Sequence, residues 1–210
     1  MTGVAEAGED DVTFTMFTTL TDRNARYLGY QDKGLTVTNM SITNAASSDD
    51  SVQAEFEIMG LSREELTTAN ALPVTAATAQ AFNYIDVGNL TIDGQALEFT
   101  DLSFSTGTPR SARRVFGKKN ATSMAASGNR ETTLTVKAFR KDFAINALVD
   151  GDSVPVIFDI TKGGDGYRFE LTHAKATIPT DELGDTGLLV NIEFTAHMLG
   201  TTPALRVTKL

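Results

Sequence analysis

A chain of 210 residues is long enough to bury about 70% of its unfolded surface around an ordinary hydrophobic core. It has no cysteine, which excludes a disulfide scaffold and thiolate metal sites and fits assembly in a reducing cytoplasm. The formal net charge of -9 argues against a protein whose main task is to grip nucleic acid, because phosphate binding needs clustered positive charge; it does not exclude contact with DNA that slides past without sticking.

No apolar run approaches the roughly 18 residues of a membrane-spanning helix, and the opening MTGVAEAGEDD has neither the basic start nor the apolar centre of a signal peptide. The expectation is a soluble protein that does not take the usual export route. Residues 12–17 (VTFTMF) alternate as a strand or an extended arm. LTVTNMSI is a strand whose apolar phase slips between Val37 and Met40, the mark of a bulge. SVQAEFEI places Val52, Ala54, Phe56 and Ile58 on one face and Gln53, Glu55 and Glu57 on the other, so the two segments form a hairpin. The spacing of Ser62 to Glu65 is that of a capping box and predicts a helix stopped by Pro73.

Between Tyr84 and Ser105 the pattern predicts two strands, around NLTID and LEFTDLSFS, joined by a turn at Asp93-Gly94. Residues 106–129 form the longest stretch without clear periodicity, read as a long loop of the kind that is functional or disordered. The stretch from Arg130 to Lys162 organises the chain as strand, short helix, strand. In RETTLTVKAF, Leu134, Val136 and Ala138 alternate with Thr133, Thr135 and Lys137. Asp142 then caps a short helix that ends at Asp150-Gly151, and VPVIFDI follows as a more buried strand. The KGGDG turn leads into YRFELTHA as a second hairpin. GLLVNIEFTAHM sets Leu188, Val190, Ile192, Phe194, Ala196 and Met198 against Asn191, Glu193, Thr195 and His197. The final ten residues read as a short strand or a second arm. These eight to ten strands with one or two short helices predict a mainly β chain, folded as a β-sandwich or partly open barrel. Its expected organisation is an N-terminal arm over 1–32, a sandwich domain over 33–200 and a C-terminal arm over 201–210.

The chemistry of catalysis is missing from the pattern. His173 and His197 are the two imidazoles, each beside polar strand neighbours and without metal-ligand spacing. The stretch at Gly117-Lys118 fails as a phosphate loop, with Ala112 where a glycine is needed and Lys119 where a hydroxyl is needed. Asp150-Gly151-Asp152 and Gly164-Asp165-Gly166 lack the ligand count of a calcium loop and read as turns. Three glycosylation sequons, at Asn39, Asn89 and Asn120, mean little without a secretion signal. No catalytic, cofactor or metal site is therefore expected. What stands out is RSARRVFGKK, where Arg110, Arg113, Arg114, Lys118 and Lys119 put five cations into ten residues of an acidic chain. The readings are a salt-bridged contact with an acidic surface of another copy, contact with DNA, or a solvated loop.

From LEFTDLSFS onward, the order LSFSTG, long loop, RETTLTVKAF, short helix, VPVIFDI, hairpin strand and GLLVNIEFTAHM resembles the tail tube proteins of long-tailed bacteriophages and related archaeal viruses. The resemblance covers about half the chain and lies in strand order rather than in invariant motifs. It implies a virion protein of the viral tail, assembled in the host cytoplasm, with six copies closing into rings that stack into a tube for the genome. Its implied partners are itself and other tail proteins such as terminator, tape measure and tail tip. DNA passes transiently and no membrane is involved. On that reading the basic cluster bridges subunits or rings, and Gln53, Glu55, Glu57, Asn191, Glu193 and Thr195 are candidates for the lumen surface. The alternatives are a tail terminator or capsid decoration protein on a similar fold, or a sandwich module for glycans or a host surface. Against the last stand the absence of tryptophan and an aromatic fraction of 8%.

Overall fold

The computed structural model describes residues 4–6, 13–21, 27–47, 51–66, 81–140, 153–184 and 187–210. In chain order, the first strands are β1 (Val4–Glu6), β2 (Phe14–Thr21), β3 (Tyr27–Ala45), β4 (Gln53–Met59) and β5 (Ser62–Leu66). After a single 3-10 turn at Tyr84–Asp86 come β6 (Val87–Ile92), β7 (Gln95–Ala96), β8 (Phe99–Gly107), β9 (Arg110–Arg113), β10 (Ser123–Ala126) and β11 (Glu131–Phe139). The last are β12 (Val154–Lys162), β13 (Asp165–Ala176), β14 (Thr180–Gly184), β15 (Gly187–Ala196) and β16 (Leu205–Lys209).

Hydrogen bonding runs in the order β2-β3-β8-β11-β15-β13-β12-β6-β7, with β4, β5, β14, β16 and β1 attached to it. In a flat sheet β8 and β12 would lie about 19 Å apart, four strand spacings. The Phe104 and Phe158 rings are instead 5.7 Å apart, and Phe104 and Phe169 5.5 Å. The sheet has therefore folded onto itself. β13 makes the corner: Tyr167–Leu171 pair with β16, whereas Ala174–Ala176 pair with β15. One layer is β4-β3-β8-β11-β15-β14, the other β7-β6-β12-β13-β16-β1, and the edges stay open. This is the β-sandwich that the strand count predicts.

The alternating residues meet between the layers. Phe104, Leu134, Val136, Ile192 and Phe194 from one side pack on Val156, Phe158 and Leu171 from the other, all fully buried. Phe158 and Phe169 stack at 4.8 Å with planes 5° apart. Each such side chain contributes about 1.5–3 kcal/mol on leaving water. Leu188, at the start of β15, and Met198, beyond its end, are in phase with its core face yet exposed.

β3 serves two sheets. Its second half pairs with β4 and β8, its first half with β2 and β5, so a three-stranded extension projects from the sandwich. The expected hairpin of β3 with β4 is present, with its irregularity between Val37 and Asn39. Gly34 marks the change of partners: its φ is +60°, and a Cβ there would stand 2.7 Å from Cδ1 of Leu61. Substituting Gly34→Ala is expected to cost about 1–2 kcal/mol of stability from the left-handed backbone alone, with more if Leu61 cannot yield. A thermal melt checks this, and an unchanged melting temperature would refute it.

Three expectations need correction. Ser62–Leu66 is strand β5, not a helix start: it pairs residue by residue with Gly29–Lys33. The Asp93-Gly94 turn, both residues at positive φ, closes β6 onto the short β7 rather than onto β8. Within residues 106–129, β9 and β10 form a two-stranded ribbon with Arg113 opposite Ser123. The final segment adopts the short-strand alternative, as β16 between β13 and β1. The helix expected after Asp142 and the turn at Asp150-Gly151 lie outside the described residues.

Candidate functional site

The most coherent chemical surface is the outer face of the β4-β3-β8-β11-β15 layer. Strand pleating sends every second side chain away from the core, and the register aligns those side chains in rows. One row is Glu55, Ser41, Ser105, Thr133, Thr195; the next is Gln53, Thr43, Ser103, Thr135, Glu193. Glu57, Asn39, Gly107 and Glu131 form the row on one side, and Asp101, Lys137 and Asn191 the row on the other. The six residues singled out from two distant segments, Gln53, Glu55 and Glu57 with Asn191, Glu193 and Thr195, thus share one face from opposite ends, about 19 Å apart across four strand spacings. Sequence reasoning missed the small hydroxyls of β3 and β8 between them.

The face is carpeted by short polar side chains and bordered by acids. Its central cation is neutralised: Lys137 donates to Glu182 at 2.7 Å, and that hydrogen bond, helped by the charges of Glu182 and Asp101, raises the lysine pKa against a smaller opposing effect of burial. His173 and His197 stand opposite each other beyond the Thr195 row, with ring centroids 6.5 Å apart. No cluster of three or more His, Asp or Glu able to hold a metal ion occurs among the described residues.

The five cations of the basic segment do not form one patch. Arg110 lines a depression on the polar face with Glu57, Glu131 and Thr133. Arg114 and Lys119 line a different groove, floored by Met16, Leu35, Ile58 and Leu61, between the β9-β10 ribbon and the three-stranded extension. Arg113 and Lys118 are exposed.

The chain matches the family described as "Phage tail tube protein" over residues 2–196. It belongs to that family. A search of curated proteins found no match. Tail tube proteins are structural components of the viral tail, in agreement with a β-rich fold whose most ordered chemistry is a broad sheet face. In this tail tube protein two ion pairs tie neighbouring strands, one in the second layer and one in the three-stranded extension. Asp159, buried on β12, accepts from Nε and Nη2 of Arg168 on β13, both at 2.8 Å, and from Asn89 at 3.1 Å. Asp32, buried on β3, accepts from Arg63 on β5 at 2.7 and 2.9 Å, and the guanidinium sits 5.0 Å over the Tyr30 ring.

In both cases the arginine hydrogen bonds lower the aspartate pKa, against a smaller opposing effect of burial. A carboxylate whose folded pKa lies below its unfolded value of about 3.9 adds stability above that value and loses it as pH falls through the folded pKa. The tail tube protein should therefore lose denaturant resistance below about pH 4. Asp159→Asn should flatten that acid limb and cost about 1–2 kcal/mol at pH 7, discounted because Arg168 is 44% exposed at its side chain. Urea melts at pH 7 and pH 3 measure both effects; parallel loss in the variant and the parent would refute the assignment.

Proposed function

We propose that this chain self-assembles into rings, six copies to a ring, that stack into the tail tube, with the β4-β3-β8-β11-β15 face lining the lumen through which the genome passes. The continuous acid-and-hydroxyl face supports this reading. Short hydroxyls and carboxylates dominate the rows and the acids repel phosphate, with Arg110 and Lys175 at the margins of the face, so a duplex meets no deep electrostatic well in which to stall. Lys137, the cation within the rows, is held by Glu182.

The sheet also has the edges that ring closure needs. β4 and β14 end the layer, and each pairs with one strand among the described residues. Joining the β4 edge of one copy to the β14 edge of the next is a heterologous contact that closes if the rotation allows. Six strands from each of six copies give a perimeter of about 170 Å, hence an opening of about 55 Å between backbones before side chains are counted. A duplex fits through such a channel. The cationic ribbon serves contacts between copies, and the terminator, tape measure and tail tip proteins are the expected partners at the tube ends. Assembly takes place in the host cytoplasm.

Negative-stain electron microscopy of the purified chain, with light scattering over a range of concentration and salt, tests the reading. Rings or tubes with a central channel are expected. A monomer at every concentration and salt would overturn it, and would favour an accessory virion component.

A further inference from the structure

The two histidines of the chain lie far apart in sequence and show no ligand spacing there, yet the fold makes them neighbours. β13 turns its corner between Leu171, paired with Leu205 of β16, and Ala174, paired with Ala196 of β15. One register step beyond Ala174–Ala196, His197 N–H donates to the C=O of His173 at 3.0 Å, so the two residues are direct cross-strand partners. Ala174 and Ala196 are buried. The pleat therefore sends both imidazoles out on the same side of the sheet, with ring centroids 6.5 Å apart.

The backbone that carries them is fixed on either side. Thr172 N–H donates to the C=O of Ala204 at 3.2 Å and its hydroxyl to the C=O of Pro203, while Thr177 N–H donates to the C=O of Glu193 at 2.8 Å. Directly opposed strand residues hold their Cβ atoms about 4.5–5.5 Å apart. A metal ion about 2.0–2.1 Å from one nitrogen of each ring lies about 3 Å from each ring centre, so two imidazoles sharing it at a tetrahedral angle have centres about 5 Å apart. Side-chain rotation closes the difference from 6.5 Å, because His197 is exposed and His173 half-buried.

The surroundings favour a cation. The chain carries a net charge of -9, and the β11-β15 register, carried one step past Thr132–Ala196, sets Glu131 on the other side of His197 from His173. Lys175, two residues along β13 on the same face, is exposed, and its long stem lets it turn its charge into water. Imidazole nitrogen selects zinc, nickel or copper over magnesium and calcium, which take oxygen ligands.

We propose that His173 and His197 chelate one divalent transition-metal ion, of the zinc, nickel and copper class, across the β13-β15 pair. No trio of His, Asp or Glu able to hold an ion forms among the described residues, so water fills the remaining positions and the ion exchanges freely. It clips the two strands together at the corner where one layer passes into the other. The site lies within one chain and does not depend on ring assembly.

Equilibrium dialysis of the full, untagged chain against zinc tests this whether or not the chain assembles. One ion per chain is expected. His197→Gln and His173→Gln should each weaken binding at least about tenfold, because either change leaves a single nitrogen, and the double variant should lose little more. Magnesium at about 1 mM should leave the bound zinc in place. Two independent one-nitrogen sites would instead bind two ions per chain, and each single variant would lose half the capacity at unchanged affinity; that result overturns the chelate. His197→Gln, at the exposed position, separates these outcomes by itself if His173→Gln does not fold. Zinc held equally well by the double variant, or none bound at about 1 mM, would also overturn the site.

Discussion

Replacing Arg113 and Arg114 together by glutamate is expected to abolish assembly while leaving the monomer folded. Both side chains are exposed on the β9-β10 ribbon, away from the Phe104-Phe158-Phe169 core. Their loss therefore falls in the class of surface changes worth within about 0.5 kcal/mol, and the thermal melt of the monomer should move by no more than a few degrees. The effect on association is of another order. The double change lowers the charge of an already acidic chain by four and sets anions against anions at the contact, where juxtaposed like charges cost several kcal/mol. At physiological salt the assembled fraction should fall at least about 100-fold, since each 1.4 kcal/mol is tenfold. At 1 M salt, where the screening length is about 3 Å, part of it should return, because the exposed side chain of Phe116 beside these charges is untouched. Sedimentation at 0.15 M and 1 M salt reads both limbs. Tubes forming normally in the variant would remove the ribbon's cations from the assembly contact.

That experiment depends on a ribbon the sequence does not announce. RSAR and SMAA are four residues each and mix charge, hydroxyl and alanine without an apolar alternation, so their pairing carries no periodic signal. The available hint is Gly117, a turn residue midway between them. Ser62 fails for the opposite reason, because a strong local signal points the wrong way. A cap contributes about 1 kcal/mol. Against it stand a strand ladder with β3, the bidentate Arg63-Asp32 pair and the Lys33-Glu64 pair at 2.7 Å, made with residues 31 positions away. Local spacing cannot register partners that distant.

Where periodicity and burial coincide, the reading is accurate. β11, β12 and β15 alternate in sequence because each has one face on the core, and the side chains predicted to point inward from the middle of these strands do so. β4 alternates just as well, yet Phe56 and Ile58 are exposed. Alternation specifies which face a side chain takes, whereas cover depends on how far the second layer extends. Asp159 shows the same limit: a carboxylate in VPVIFDI looks like a surface residue, and its burial follows from pairing with Arg168 across the hairpin that the KGGDG turn sets. The polar face was legible at its two ends only, since register between strands remote in sequence is a tertiary property.

The lumen assignment makes the second large prediction. Changing Ser103, Thr135 and Glu193 to lysine places three cations along one row of the sheet. All three side chains point away from the core, so the sandwich and its assembly contacts should survive. Six copies so altered would offer more phosphate contacts in one ring than the six to ten that already change DNA affinity about 10³- to 10⁵-fold between 50 and 200 mM salt. Genome release from particles carrying the variant tube should therefore slow by at least tenfold at about 50 mM salt and recover steeply towards 200 mM, because each phosphate held must be released against returning counterions. A parallel variant with glutamate at Ser103 and Thr135 should release as fast as the parent, which separates charge sign from simple crowding of the channel. Unchanged release from fully assembled lysine-bearing particles would move this face off the lumen, leaving the opposite layer, with its Asp159-Arg168 and Glu170-Arg206 pairs, as the surface DNA would meet. That layer presents arginines to whatever passes it, the property a conduit for nucleic acid has most reason to avoid.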